Sequence, residues 1–65
     1  MELTTLTALM EAGSVHTFRS TFGGRPEGAR GTVERVGFPA APNTVQVRDI
    51  AGGLHNWDRR TMSVA

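Results

Sequence analysis

The chain contains no cysteine and no lysine, and each absence narrows what it can be. Without cysteine it lacks the disulfide framework that supports many small secreted domains, so we expect a reducing compartment. The predicted location is the cytoplasm of a bacterial cell or of an infected host cell. Because all seven cations are arginine, a functional surface would favour bidentate contacts to phosphate or carboxylate, although a GC-rich genome is the simpler explanation of the bias.

The sequence also lacks a long apolar run and a strong charge excess. No stretch of about 18 apolar residues is present, so we expect a soluble protein with no membrane partner. The net charge of +1 is far below that of a dedicated nucleic-acid coat, and it permits a local basic patch without requiring one. A chain of 65 residues has room for one small core, so a homo-oligomer stays open as a means of support.

The N-terminal segment has a helical pattern. Apolar residues recur at spacings of three and four, and a glycine follows. We predict a helix over residues 4–12, capped by Thr4 or Thr5 and ended by Gly13. Two turns are too short to be stable alone, so the apolar stripe must rest on a sheet. The stripe consists of Leu3, Leu6, Leu9 and Met10.

After residue 13 the apolar period changes to alternation, which predicts β-strands. A first strand over residues 15–22 turns Phe18 and Phe22 inward, and a glycine-rich loop with at least one positive φ follows it. In the next strand, residues 31–36, Val33 and Val36 both face inward only if the strand bends or bulges between them. An irregular connection over residues 37–43 then leads into a predicted strand over 44–48, in which Val45 and Val47 face inward. A hairpin turn over residues 49–53 joins it to a strand over 54–57. Asp58 caps a turn over residues 59–61, and a final strand holds Met62 and Val64.

A glycine turn that leads into a G-x-V-x-x-V strand, followed by a strand of alternating valines, resembles the KOW motif of ribosomal proteins and transcription elongation factors. The resemblance covers residues 15–48 and implies a mainly β fold, a small five-stranded Src-homology-3-like barrel over residues 14–65 preceded by the short helix of residues 1–13. In place of the lysine-rich ribosomal turn, residues 25–30 carry two arginines and Glu27. The matching positions are Gly24, Gly28, Gly31, Val33, Val36, Val45 and Val47.

A second resemblance concerns residues 45–48. Their Val-Gln-Val-Arg run is similar to the Val-Gln-Ile-Tyr run of plasmid-encoded type II dihydrofolate reductases, with arginine in place of tyrosine. That likeness implies a tetramer whose central site uses the glutamine at Gln46. It is the third-ranked alternative.

Residues suited to catalysis or to metal binding are sparse. Two histidines and no cysteine are too few for a structural zinc site, and His16 fits a satisfied, partly buried residue. The serines lie in no nucleophile elbow, and the carboxylates are scattered. Residues 23–28 have the spacing of a phosphate loop, but Ala29 and Arg30 stand where lysine and serine or threonine are required. We therefore predict a non-enzymatic binding module without cofactor or metal.

The predicted contact residues fall into groups. Arg25, Arg30 and Arg48 belong near the glycine loop, whereas Arg59 and Arg60 follow Trp57, a pairing that suits the stacking of single-stranded bases. A core position for Trp57 is an equal alternative. We expect binding of nucleic acid in a transcription or translation complex. The alternative is a phage- or plasmid-encoded accessory or inhibitor protein that binds a larger host protein complex. The weak net charge and an exposed Phe38 and Trp57 would favour it. His55, near a turn, is a further predicted contact residue.

Overall fold

The structure, a computed structural model, describes residues 1–21 and 28–65. Its strands form one antiparallel sheet in the order β4-β3-β2-β1-β5, so β4 and β5 are the edge strands within the described part of the chain. A mainly β fold with a short N-terminal helix is therefore confirmed. The described elements are α1 (Leu3–Ala12), β1 (His16–Ser20), β2 (Ala29–Phe38), β3 (Ala41–Asp49), β4 (Leu54–Asp58) and β5 (Met62–Val64).

Helix α1 ends as predicted but begins differently. Gly13 has a left-handed backbone with φ 63°, and its N–H donates to two carbonyls of the last turn. The N-cap is Glu2, whose side chain makes no capping hydrogen bond. The prediction that Thr4 or Thr5 caps the helix is wrong, because the first turn already begins at Leu3 and both threonines lie inside it.

The apolar stripe of α1 rests on the sheet, chiefly on β2. Leu6 is completely buried, and Leu9 and Met10 pack against the core from partly buried positions. Leu3 is 43% exposed and lies at the margin of the stripe. The helix is thus held by tertiary packing, as its short length requires.

Strand β1 is shorter than the sequence pattern predicts, spanning five residues. Phe18 is fully buried, which confirms its inward position. Gly28 has φ 75°, which confirms a positive φ in the glycine cluster. The inward position predicted for Phe22 and the binding role predicted for Arg25 lie outside the described residues.

Strand β2 bends where the two valines require it. The register with β3 shifts between Val33 and Arg35, so the predicted bulge is confirmed. Val33 is buried, and Val36 is partly buried against the core. The bulge lets both valines reach the interior although two polar residues separate them.

The prediction of an irregular connection over residues 37–43 is wrong. Strand β2 continues to Phe38 and β3 begins at Ala41, so a tight turn at Pro39 and Ala40 joins them. A second register shift lies between Val36 and Phe38. The intervening Gly37 has φ 78°, a conformation that suits glycine and allows a strand to continue through an irregularity.

Trp57 lies in the core, so the prediction that it is an exposed contact residue is wrong. This side chain is 5% exposed and belongs to the central apolar cluster, so it cannot serve as an exposed stacking platform. Val45 and Val47 are fully buried, as predicted from their alternation, whereas Val64 is 41% exposed at the edge strand. The buried cluster consists of Leu6, Phe18, Val33, Val45, Val47, Trp57 and Met62.

The sheet is strongly curled. Strands β4 and β5 stand at opposite ends of the strand order, yet residues 59–61 alone connect them. In a flat sheet four strand spacings would separate them by about 19 Å, whereas four peptide steps reach about 14 Å at most. The edges must therefore bend toward each other around the core.

In the described residues, the ten-residue α1 is the longest helix, and none is long and apolar enough to cross a bilayer.

Candidate functional site

The outer face of β1, β2 and β3 carries four arginines. On β3 the buried Val47 points inward, so Arg48 points outward together with its cross-strand partner Thr32. The same alternation turns Arg30 outward opposite Thr17 of β1. We call this surface the arginine face, and it consists of Arg19, Arg30, Arg35 and Arg48.

Two of these arginines have weak local partners. Arg48 donates through Nη2 to Glu34 Oε1 at 3.2 Å and through Nη1 to the Gly52 carbonyl at 3.0 Å. The side chains of Arg48 and Glu34 are each 42% exposed, and ion pairs so exposed contribute little to stability. Arg30 Nη1 donates to Thr17 Oγ1 at 3.3 Å. A ligand phosphate can replace such contacts at small cost.

Few carboxylates among the described residues share a surface with these arginines. Glu34 is the one carboxylate that we assign to this face among the described residues. Glu2 and Glu11 lie at the two ends of α1, and Asp49 holds the β3–β4 turn. Asp58 lies on the outer side of β4, where Arg60 pairs with its carboxylate. The molecule thus has a basic sheet face although its net charge is only +1.

The arginine pair after Trp57 does not form the predicted site. Arg59 is half-buried, with Nε donating to Asn43 Oδ1 at 2.8 Å and Nη1 donating to the Met1 carbonyl at 3.4 Å. The Met1 ammonium group in turn donates to the Arg59 carbonyl. Arg59 therefore ties the N-terminus to the β3–β4 side of the sheet, and its first role is structural.

Arg60 is occupied by a carboxylate. Its Nη2 and Nε donate to the two oxygens of Asp58 at 2.6 and 3.0 Å, and its backbone N–H donates to the same carboxylate. The Arg60 side chain lowers the pKa of Asp58 to about 2, with its backbone N–H the next cause, and the same hydrogen bond raises the pKa of Arg60. Asp58 closes the turn after β4, as the sequence predicts.

Phe38 lies outside the core cluster at the end of β2 and is half-buried. The guanidinium carbon of Arg35 lies over its ring, 4.4 Å from the centroid. This is cation–π geometry. The predicted contact residue Phe38 is thus brought next to an arginine that the sequence analysis did not single out.

His55 belongs to the hairpin rather than to the arginine face. Its Nε2 lies 2.6 Å from Asp49 Oδ2, while Asp49 Oδ1 accepts the N–H groups of Ala51 and Gly53 at 2.9 and 2.8 Å. The His55 hydrogen bond, followed by that of Gly53, lowers the pKa of Asp49. These bonds hold the β3–β4 turn over residues 50–53, which confirms the hairpin turn predicted over residues 49–53 except that Asp49 still belongs to β3. An open cleft of about 550 Å³ adjoins the pair and is lined by Gly28, Ala29, Arg30, Asp49, Ile50, Ala51 and His55.

The second histidine is satisfied locally. His16 is half-buried, hydrogen-bonds to Ser14 Oγ through Nε2 at 2.7 Å, and meets the Phe18 ring edge-on with centroids 6.2 Å apart. This confirms the sequence interpretation of a partly buried, paired histidine. Among the residues that the structure describes, no three side chains of His, Asp or Glu converge in a way that could hold a metal ion.

Sequence reasoning missed several members of the surface. Arg19 and Arg35 are outward residues of β1 and β2, and Asn56 lies opposite Gln46 across β3 and β4. Alternation around Phe18 turns Arg19 outward from the sequence alone, although Arg19 was not among the predicted contact residues. The bulge displaces Arg35, and the register of β4 decides that Asn56 lies opposite Gln46. The positions of Arg35 and Asn56 therefore follow only from the pairing of the strands.

Comparison with known proteins adds no identity to this geometry. The KOW and type II reductase resemblances stay predictions from the residues, and the function has to be argued from the surface itself. No protein-family model, no curated protein and no solved structure matches the chain.

Proposed function

We propose that this protein is a non-enzymatic module that binds nucleic acid through the arginine face. The observation that carries the proposal is the placement of four arginines on one side of β1, β2 and β3, where Glu34 is the single carboxylate among the described residues. Phosphate contacts supply most of the affinity of such proteins, and arginine binds phosphate in a bidentate manner. Of the contact residues predicted from the sequence, Arg30 and Arg48 belong to this face.

The proposal includes a finer description of the fold. The curled sheet is a Src-homology-3-like barrel, in which β4 and β5 approach each other around the core. The strand order places β1 between β2 and β5, and the short connection over residues 59–61 supports the closure. The KOW resemblance adds the context, a transcription or translation complex.

The test is the salt dependence of binding to a fluorescently labelled oligonucleotide. Fluorescence anisotropy measures the affinity between about 50 and 200 mM salt, because phosphate-binding proteins change affinity strongly over this range. The logarithm of the affinity should fall linearly with the logarithm of the salt concentration. Arg48→Gln should weaken binding and reduce the slope by about 1, because one phosphate contact is lost. A flat salt dependence would contradict the proposal.

A matched control separates the arginine face from net charge. Glu11→Gln removes an exposed acid at the end of α1, away from the arginine face. The double variant Glu11→Gln with Arg48→Gln has the wild-type net charge but lacks one arginine of the face. It should bind as weakly as Arg48→Gln alone, and recovery of wild-type affinity would show that net charge, rather than this surface, drives binding.

A second function has its own observation. Ile50 is 73% exposed and Leu54 is 47% exposed, and both belong to the β3–β4 hairpin region. This apolar pair favours the alternative of a phage- or plasmid-encoded accessory or inhibitor protein that docks on a larger host protein complex. A pull-down that recovers one stoichiometric protein after nuclease treatment, and that Ile50→Ser abolishes, would favour this alternative over nucleic acid.

A further inference from the structure

The sheet register sets two side-chain amides beside an arginine. Gln46 of β3 lies opposite Arg35 of β2 on one side and opposite Asn56 of β4 on the other. Directly opposed residues in antiparallel strands have Cβ atoms about 4.5–5.5 Å apart, so the three side chains are immediate neighbours. Val45 and Val47 point inward, and the row therefore lies on the outer face. We call Arg35, Gln46 and Asn56 the amide row.

The two amides of this row are free to take a ligand. Gln46 is half-buried and Asn56 is exposed, and neither side-chain amide hydrogen-bonds to another residue in the described part of the chain. Each carboxamide offers two N–H donors and one carbonyl acceptor. This mixed set differs from the guanidinium groups around it, which donate only. The row can therefore recognise a group that presents both donors and acceptors.

Nucleobase edges are such groups. Asn and Gln pair with bases through two parallel hydrogen bonds, and arginine and aromatic planes stack on base faces. Arg35 already lies over the Phe38 ring at 4.4 Å, which shows that its guanidinium can stack at this position. The amide row thus adjoins a stacking group and continues the arginine face, since Arg48 is the next outward residue after Gln46 on β3.

The bases recognised in this way must be unpaired. In a duplex the base edges lie at the floor of a groove, and proteins usually reach them with a helix or a two-stranded ribbon. Helix α1 is packed on the core and carries acids at both ends, so it does not suit that role. The amide row spans three adjacent strands of a five-stranded sheet, which is wider than a two-stranded ribbon. We infer that the amide row contacts the bases of a single-stranded nucleic acid whose phosphates lie on the arginine face. This inference rests on the proposed function and names its ligand class.

The experiment compares labelled 12-nucleotide homopolymers of DNA and RNA with a blunt-ended duplex that has no loop. Binding of each is measured by anisotropy over about 50 to 200 mM salt, so that affinity and salt slope are both obtained. Wild type should bind at least one single strand about 5-fold or more tightly than the duplex. The stacking of one base on the protein is enough to raise the affinity by about 5-fold. Gln46→Ala and Asn56→Ala should each weaken binding of the preferred strand by about 5- to 30-fold and leave the salt slope unchanged. Thr4→Ala is the matched control, because it removes an exposed hydroxyl from α1, which packs on the core rather than on the outer face of the sheet.

The outcomes separate the inference from the function on which it rests. If no oligonucleotide binds, the proposed function fails. If single strands and duplex bind equally with a normal salt slope, the function stands and the amide row inference is overturned. The inference is also overturned if Gln46→Ala and Asn56→Ala behave like Thr4→Ala. Thermal melts by circular dichroism establish that each variant is folded.

Discussion

At the scale of single residues, position 31 requires glycine because the backbones of β2 and β3 approach each other too closely for a side chain there. A Cβ on this residue would lie 2.1 Å from the Arg48 carbonyl oxygen and 2.8 Å from the Asp49 Cα, both backbone atoms that cannot move independently. Gly31→Ala should therefore force β2 away from β3 and lower the free energy of unfolding by about 1–3 kcal/mol, as overpacking does. Urea unfolding measures this change. Thr32→Ala, one residue along on the outer face, should change it by less, and equal effects would contradict the steric argument.

Asp58 makes stability depend on acid. Its pKa is about 2 in the folded protein, below the value of about 3.9 in an unfolded chain. The stabilisation is therefore complete above about pH 4 and is lost as the pH falls toward about 2. Asp58→Asn and Arg60→Gln should each flatten the dependence of Tm on pH in this range. The pH dependence that remains is due to Asp49, whose pKa is also lowered in the folded protein. An unchanged pH profile in both variants would contradict this assignment.

At the scale of elements, α1 depends on one anchor. Leu6 is fully buried against the sheet, whereas Leu3 of the same stripe is 43% exposed. Leu6→Ala should lower the free energy of unfolding by about 2–5 kcal/mol, because the cavity would lie in the core. Leu3→Ala removes the same atoms at the margin and should have a much smaller effect. Thermal melts followed by circular dichroism compare the two, and similar losses would show that the helix is not anchored as described.

At the scale of the whole molecule, the buried Trp57 reports on the core to which both α1 and the sheet contribute. If the chain unfolds as one domain, urea unfolding followed by tryptophan fluorescence and by circular dichroism should give coincident curves. Separate transitions would show that α1 and the sheet unfold independently. The fluorescence of native Trp57 should be that of an indole shielded from water and should change little when an oligonucleotide binds, since the ring does not face the ligand.

The amino-acid sequence by itself determined the features that depend on near neighbours along the chain. The spacing of the leucines and Gly13 determined α1 and its end, and Val45 and Val47 determined the inward face of β3. The two polar residues between Val33 and Val36 determined the bulge, because side-chain alternation in a strand leaves no other way to bury both valines.

Only the tertiary structure decided which distant residues meet. Trp57 looked equally suited to surface and core until β4 paired with β3 and turned it inward. The alignment of Arg35, Gln46 and Asn56 depends on two strand registers and on a bulge, and a shift of one residue in either register would break the row. Register is set by packing between strands, so no local pattern encodes the amide row.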